Sequence, residues 1–316
     1  MTESWRLATL NDTCRFSVYT HANPFPNLLK ARGMSPTEQS TADYIAQVEA
    51  WRQNMDAQMR APGPGGWLAI VGMYPLEVGE NTIGSAPDSA VQLPAGAAPE
   101  RLGILSFDGQ HGTLHVTTDE TVTVDGVPTR TAALRNHYEP GGMSVVNVRD
   151  VRFGVMQWAS DPYNIRVWDA NAPKRLNFPG RVWYPIDPNY RATGRFTPYP
   201  DAKGMVVDHT GGETQILKNI GSVDFELHAQ AFHFEACASE LGKDYVWLLM
   251  RDATSGKSTY GAGRFMMAPF IDETTVELDF NKFYHPPCAF CEFTTCPMPP
   301  RSNRFPFPIE AGERFK

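Results

Sequence analysis

Gly103-Ile-Leu-Ser-Phe-Asp-Gly-Gln-His-Gly-Thr-Leu-His-Val-Thr117 contains two short alternating runs, Gly103 to Phe107 and Gly112 to Thr117, divided by turn residues. Alternation with a period of two is the mark of a strand with one face buried. The same pattern recurs at Trp67 to Val71 and at Thr121 to Val124. Short strands spaced by turn signals over residues 67–158 therefore predict a β-sandwich.

On the amino-terminal side of this region the period changes. From Glu38 to Arg60 the apolar residues Tyr44, Val48, Trp51, Met55 and Met59 recur at three- and four-residue steps, so they share one face of an amphipathic helix. Ala61-Pro-Gly-Pro-Gly-Gly ends it. The bland use of such a stripe is packing on a β domain. Residues 1–37 have no clear period and read as an irregular arm with one short strand around Phe16 to Tyr19.

On the carboxy-terminal side a boundary is expected near Ala159-Ser-Asp-Pro, with a second module over residues 160–316. Strands are expected at Asn164 to Trp168, Gly204 to Asp208, Thr214 to Leu217, Ser222 to Leu227 and Ala231 to Cys237. No helix of useful length lies between them. Parallel pairing needs long crossovers, so this module is expected to be antiparallel. The fold class is mainly β, with two β modules.

The chain of 316 residues carries 35 acidic and 28 basic residues, a formal charge of −7, and neither sign is gathered into runs. Binding to nucleic acid or to an anionic membrane needs concentrated Lys and Arg, so neither is an expected partner. The opening Met1-Thr-Glu-Ser-Trp-Arg-Leu lacks a basic head followed by an apolar stretch. A cytoplasmic location is expected by default. Five cysteines are too few for a disulfide scaffold in a chain this long.

Pro75-Leu-Glu-Val-Gly-Glu-Asn-Thr-Ile-Gly-Ser, then Val91-Gln-Leu-Pro, then Val124-Asp-Gly-Val resemble the layout of a forkhead-associated domain. Those domains bind phosphothreonine through an Arg, a Ser and an Asn on loops. Here Ser85 stands after Gly84 where that family usually has Arg, and Asp125 stands before Gly126 where it often has Asn. The resemblance implies the scaffold and not the ligand.

Beyond Tyr245 the sequence carries chemistry. Tyr245-Val-Trp-Leu-Leu-Met is a continuous apolar run of strand length, and the polar turn Arg251 to Arg264 leads into a strand at Phe265 to Ala268. Then come Leu278-Asp-Phe-Asn, Tyr284-His-Pro-Pro-Cys-Ala-Phe, Thr295-Cys-Pro-Met-Pro-Pro, Asn303-Arg and Ile309-Glu-Ala-Gly-Glu. In this order they resemble the family catalogued as domain of unknown function 1684, which implies no reaction. Residues 281–308 interleave prolines with Phe283, Tyr284, Phe290, Phe293, Phe305 and Phe307, more apolar area than a disordered tail carries. An ordered loop over the β core is expected there.

Tyr260, Arg264, Asp279 and Asn281 are the candidate ligand-binding set. If the strands after Arg264 and before Asp279 pair antiparallel, both side chains reach the same end of the sheet. An Arg there can clamp a carboxylate or phosphate, while Asp and Tyr move protons. The structural alternative is an ion pair between Arg264 and Asp279 that fastens the loop, with Asn281 bonding backbone.

Cys288, Cys291 and Cys296, with His285, admit three readings: buried thiols, a zinc site, or redox chemistry. The family resemblance implies Cys at the positions of Cys288 and Cys296 but not regularly at Cys291. His111 and His115 form a weaker metal pair lacking a third ligand. Asp252, Thr254, Ser255 and Ser258 lack the elbow and base of a serine nucleophile, and Gly261-Ala-Gly lacks the rest of a phosphate loop. Two functions stay open: binding, with or without transformation, of a small anionic molecule at the carboxy-terminal signature, or a non-catalytic interaction protein with a protein partner.

Overall fold

A computed structural model describes residues 40–157, 163–212, 214–239 and 241–315. The arm at 1–37 and its expected strand lie outside the described residues, as does Cys14. The protein is mainly β, and among the described residues no helix is long and apolar enough to cross a membrane.

Helix α1 spans Thr41–Met59, capped by Ser40, whose hydroxyl accepts the Asp43 N–H at 3.1 Å. Its buried residues are Tyr44, Val48, Trp51, Met55 and Met59, the stripe read from the sequence. The sandwich follows, built from β1 (Ile70–Pro75), β2 (Gly79–Gly84), β3 (Val91–Gln92), β4 (Gly103–Phe107), β5 (Gly112–Val116), β6 (Thr123–Val124), β7 (Val127–Pro128), β8 (Thr131–Leu134), β9 (Val146–Val148), β10 (Val151–Gln157) and β11 (Tyr163–Asp169). One sheet has the order β1-β11-β10-β9-β6-β7 and the other β3-β2-β4-β5-β8. Between them lies an aliphatic core that includes Leu105, Leu114, Val146, Phe153, Ile165 and Val167.

The strand expected at Asn164 to Trp168 forms, but it does not open the second module. As β11 it pairs with β1 on one side and β10 on the other, inside the first sheet. Residues Ile165 and Val167 are buried in the sandwich core, which is what holds the strand there.

After a single helical turn, α2 (Pro173–Leu176), the second β region contains β12 (Val182–Trp183), β13 (Arg191–Asp208), β14 (Thr214–Leu227), β15 (Gln230–Ala238), β16 (Tyr245–Met250), β17 (Arg264–Pro269), β18 (Thr275–Asp279) and β19 (Glu313–Arg314). β12 pairs with β19, and the others form one antiparallel sheet ordered β17-β16-β15-β14-β13-β18. The two edge strands β17 and β18 are consecutive in the chain and meet at a Phe270–Val276 bridge, so the sheet curls on itself. The two strands expected at Thr214 to Leu217 and Ser222 to Leu227 are one long strand. Within it Gly221 is a close-approach residue: a Cβ there would overlap the Thr197 carbonyl oxygen and the Phe196 ring.

Both faces of this sheet are covered. Leu248, Met250 and Met266 point into a core with Phe225, Phe234, Phe280, Phe283 and Phe305. Leu249 and Phe265 point the other way, toward Trp51 and Met55 of α1. Burial on both faces explains the uninterrupted apolar run Tyr245 to Met250. Helix α1 therefore docks on the carboxy-terminal sheet, although the sandwich is its neighbour in sequence. The Trp51 ring lies 5.6 Å from Trp183 and 6.4 Å from Tyr284, and Arg52 donates to the carbonyls of Tyr184 and Asn281 at 3.1 and 3.2 Å. A further apolar cluster joins the sandwich to the rest, with Met59, Trp67, Met143, Met156, Trp168 and Cys291 packed together.

Trp51→Ala is expected to lower stability by about 3–5 kcal/mol, the usual cost of emptying a buried aromatic site. Urea titration of the variant checks this; a loss under about 1 kcal/mol would mean the helix is not held by this contact.

Candidate functional site

The four polar residues grouped by sequence fall into three surroundings. Arg264, at the start of β17, is 1% exposed and its guanidinium pairs with the Asp252 carboxylate. It also donates to the carbonyls of Ala311 at 2.5 Å, Glu313 at 3.1 Å and Ile309 at 2.8 Å, and its plane lies over the Phe283 ring. The ion pair expected with Asp279 is replaced by one with Asp252. The reason is local: Asp252 caps the turn before β17, accepting the Thr254 N–H at 2.6 Å, and so faces the first residue of that strand.

Asp279 and Asn281 belong to a different network. The Tyr44 hydroxyl donates to Asp279 at 2.9 Å and accepts from the Asn281 amide at 2.8 Å. Asn281 also exchanges hydrogen bonds with the backbone of Asp187, at 3.0 and 2.8 Å. Burial, with the Asp279 charge beside it, pushes the Tyr44 phenol well above its ordinary range, which keeps it a neutral donor. These residues tie α1 to the end of β18.

Tyr260 lies in a third place, with the cysteines. Its hydroxyl donates to the Cys288 carbonyl at 3.3 Å, and its N–H donates to His285 Nε2 at 3.2 Å. The other ring nitrogen, Nδ1, lies 3.4 Å from the Glu313 carboxylate. Glu313 also accepts the His285 N–H at 2.7 Å and pairs with Arg181 at 2.5 Å. Burial would raise the Glu313 carboxyl, but Arg181 and His285 outweigh it and hold the carboxyl below its usual range.

The three clustered cysteines separate in space. Cys291 is buried in the cluster with Met59, Trp67 and Trp168, and burial pushes its thiol up. Cys288 and Cys296 lie together in the cluster on the other side of the loop, with Phe265 and Tyr284. Both nitrogens of the His285 ring are turned to Tyr260 and Glu313. Among the described residues no group of three or more His, Cys, Asp or Glu side chains is placed to hold a metal ion, and the zinc reading of His285, Cys288, Cys291 and Cys296 finds no gathered donor set. His111 pairs with Asp108 at 3.5 Å, outside β5, and shares no such group with His115.

Cys288 is partly exposed, packs in one cluster with Cys296, and has the Tyr260 hydroxyl on its own carbonyl. A hydrogen bond from the Cys296 thiol has the largest effect, and against the opposing effect of burial the hydroxyls of Tyr260 and Thr210 add to it; the thiol is lowered to about 7. Cys296 shifts the other way, well up, because it is buried and donates to Cys288. Thr210 is held in position by the Cys296 backbone: its Oγ accepts the Cys296 N–H at 3.0 Å and its own N–H donates to the Cys296 carbonyl at 3.0 Å. Thr210 sits in the turn after β13, far from the cysteines in sequence, and no motif marks it. Asp252 and Glu313 stand within the carboxy-terminal motifs, but only the fold gives their partners.

Residues 176–314 match the DUF1684 family, described as proteins of unknown function. The DUF1684 region takes in Arg181, the curled sheet and the whole cysteine loop, while α1, which packs against it, precedes the match. No curated protein matches the chain. Among solved structures, it is similar to the solution structure of an uncharacterized protein from Haloarcula marismortui, at 26% identity over 44% of this chain and 78% of that one, with a TM-score of 0.36. It is also similar to the FhaA forkhead-associated domain crystallised with the intracellular domain of another protein, at 22% identity over 30% of this chain and 85% of that one, with a TM-score of 0.22.

Removing one member of the buried Arg264–Asp252 pair is expected to cost about 3–5 kcal/mol, because the other charge is left uncompensated. Chemical denaturation of Asp252→Leu and Arg264→Met checks this, and the double variant Arg264→Met/Asp252→Leu is expected to lose less than the two single losses added together.

Proposed function

We propose that the carboxy-terminal region works through Cys288, as a nucleophilic thiol toward small electrophilic molecules. The supporting observation is a partly exposed thiol packed with Cys296 and beside Tyr260, in surroundings that lower it to about 7. The thiolate is the reactive form of cysteine, and donors aimed at the sulfur raise its fraction near neutral pH. The sandwich then serves as a scaffold, with Ser85 donating to the Ala98 carbonyl at 3.0 Å and Asp125 paired to Arg135 at 2.7 Å.

A small anionic ligand at Arg264 is less favoured. Its guanidinium already holds a carboxylate and three carbonyls, and it lies beneath the carboxy-terminal segment. An interaction protein is the second reading, favoured by Val206 and Ile216, which stand opposite each other on the β13–β14 hairpin at 65% and 54% exposure. On that reading, sedimentation velocity of the pure protein shows self-association that Val206→Lys abolishes; a monomer at all concentrations removes this support for it.

Because the folded pKa of Cys288 lies below the ordinary thiol value, its thiolate persists at lower pH and is lost as pH falls through about 7. Iodoacetamide labelling, read by peptide mass spectrometry, is expected to show a rate at Cys288 with a midpoint near pH 7. Tyr260→Phe is expected to move that midpoint upward. A midpoint at the ordinary thiol value in the unaltered protein would overturn the proposal.

A further inference from the structure

Two thiols packed in one cluster can do more than one thiol alone. Cys288 and Cys296 share a loop, lie in one cluster, and differ in exposure: Cys288 is partly open and Cys296 is buried. The loop is clamped at Cys296 by the two hydrogen bonds with Thr210 and by the adjoining His209–Pro297 bridge. The backbone that carries the partner thiol is therefore held in place, in the cluster against which Cys288 packs. Cys291 and Cys237 have no such partner arrangement. Cys291 packs in a separate cluster, and Cys237, though in the same cluster as Cys296, lies on β15 with its thiol pushed up to about 12, first by burial and then by Glu235.

We propose that Cys288 and Cys296 form a dithiol–disulfide redox couple, with Cys288 attacking a small hydroperoxide and Cys296 resolving the product. This rests on the reading of Cys288 as a nucleophile. The thiolate of Cys288 attacks one peroxide oxygen, the S–O bond forms as the O–O bond breaks, and the departing alkoxide or hydroxide takes a proton from solvent. The sulfur has then lost two electrons to the peroxide and is a sulfenic acid. Cys296 attacks that sulfur; the S–S bond forms, the S–O bond breaks, and the hydroxyl leaves as water with the Cys296 proton. An external dithiol returns both to thiols by exchange through a mixed disulfide. Partial burial of Cys288 suits a small oxidant over a bulky one. The resolving thiol, held within contact, protects Cys288 from the irreversible sulfinic and sulfonic states.

The experiment exposes the reduced full-length protein to hydrogen peroxide, quenches with N-ethylmaleimide and maps peptides without reduction. The expected product is an intramolecular Cys288–Cys296 disulfide that dithiothreitol reverses. In Cys296→Ser, dimedone is expected to trap a sulfenic acid at Cys288, with sulfinic acid following at higher peroxide. In Cys288→Ser, Cys296 is expected to stay reduced. The two proposals fail separately. If iodoacetamide labels Cys288 with a midpoint near pH 7 but peroxide leaves both thiols free, or links either to Cys237, Cys291 or a second chain, the redox couple is wrong and the nucleophile stands. If the labelling midpoint is that of an ordinary thiol, both fall.

Discussion

A guanidinium almost wholly shut off from water organises the carboxy-terminal region. Arg264 would cost several kcal/mol to bury as a lone ion, and Asp252 and the carbonyls of Ile309, Ala311 and Glu313 offset that cost. The three carbonyls belong to alternate residues, so one side chain fixes the course of the extended terminal segment. Gly312 lies within that segment at a positive φ of 75°, where a Cβ would press on Phe283. With the segment fixed, the Glu313 carboxylate meets Arg181 and His285, His285 accepts from Tyr260, and Tyr260 lies on Cys288. The surroundings of the Cys288 thiol are thus set by a contact that does not touch it.

The loop also shows how neighbours, more than burial, set cysteine chemistry. Cys288 and Cys291 are close in sequence and both are largely enclosed, yet their thiols move in opposite directions. Enclosure raises both. Only Cys288 has hydroxyl and thiol donors turned toward its sulfur, and these outweigh the loss of water.

Much of the architecture was legible in the sequence because it is periodic. The α1 stripe named every buried residue of the helix, and the alternating runs of residues 67–158 marked the sandwich. Legibility ended where a choice depends on distant partners. Asn164 to Trp168 is readable as a strand, but its sheet is decided by packing against β1 and β10. Thr214 to Leu227 reads as two strands, and only the fold shows one, in which Gly221 lets β13 and β14 approach closely. For the candidate site, Tyr260, Cys288 and Cys296 stood out by residue type and motif. Their association with Thr210, and the division of Arg264 from Asp279, follow from the curl of a sheet that no local pattern encodes.

The placement of α1 has a consequence for how the chain assembles. The Tyr44–Asp279 hydrogen bond joins residues 235 positions apart, and the sandwich lies entirely between them. During synthesis the helix emerges before the sandwich and its docking surface after it, so its apolar stripe must wait while a complete β-sandwich is made. Contacts of such sequence separation carry a large loop-closure cost, which falls sharply once the sandwich has folded and drawn Ile70 and Trp168 side by side. The sandwich then acts in the folding pathway as a clasp, turning a long-range encounter into a short-range one.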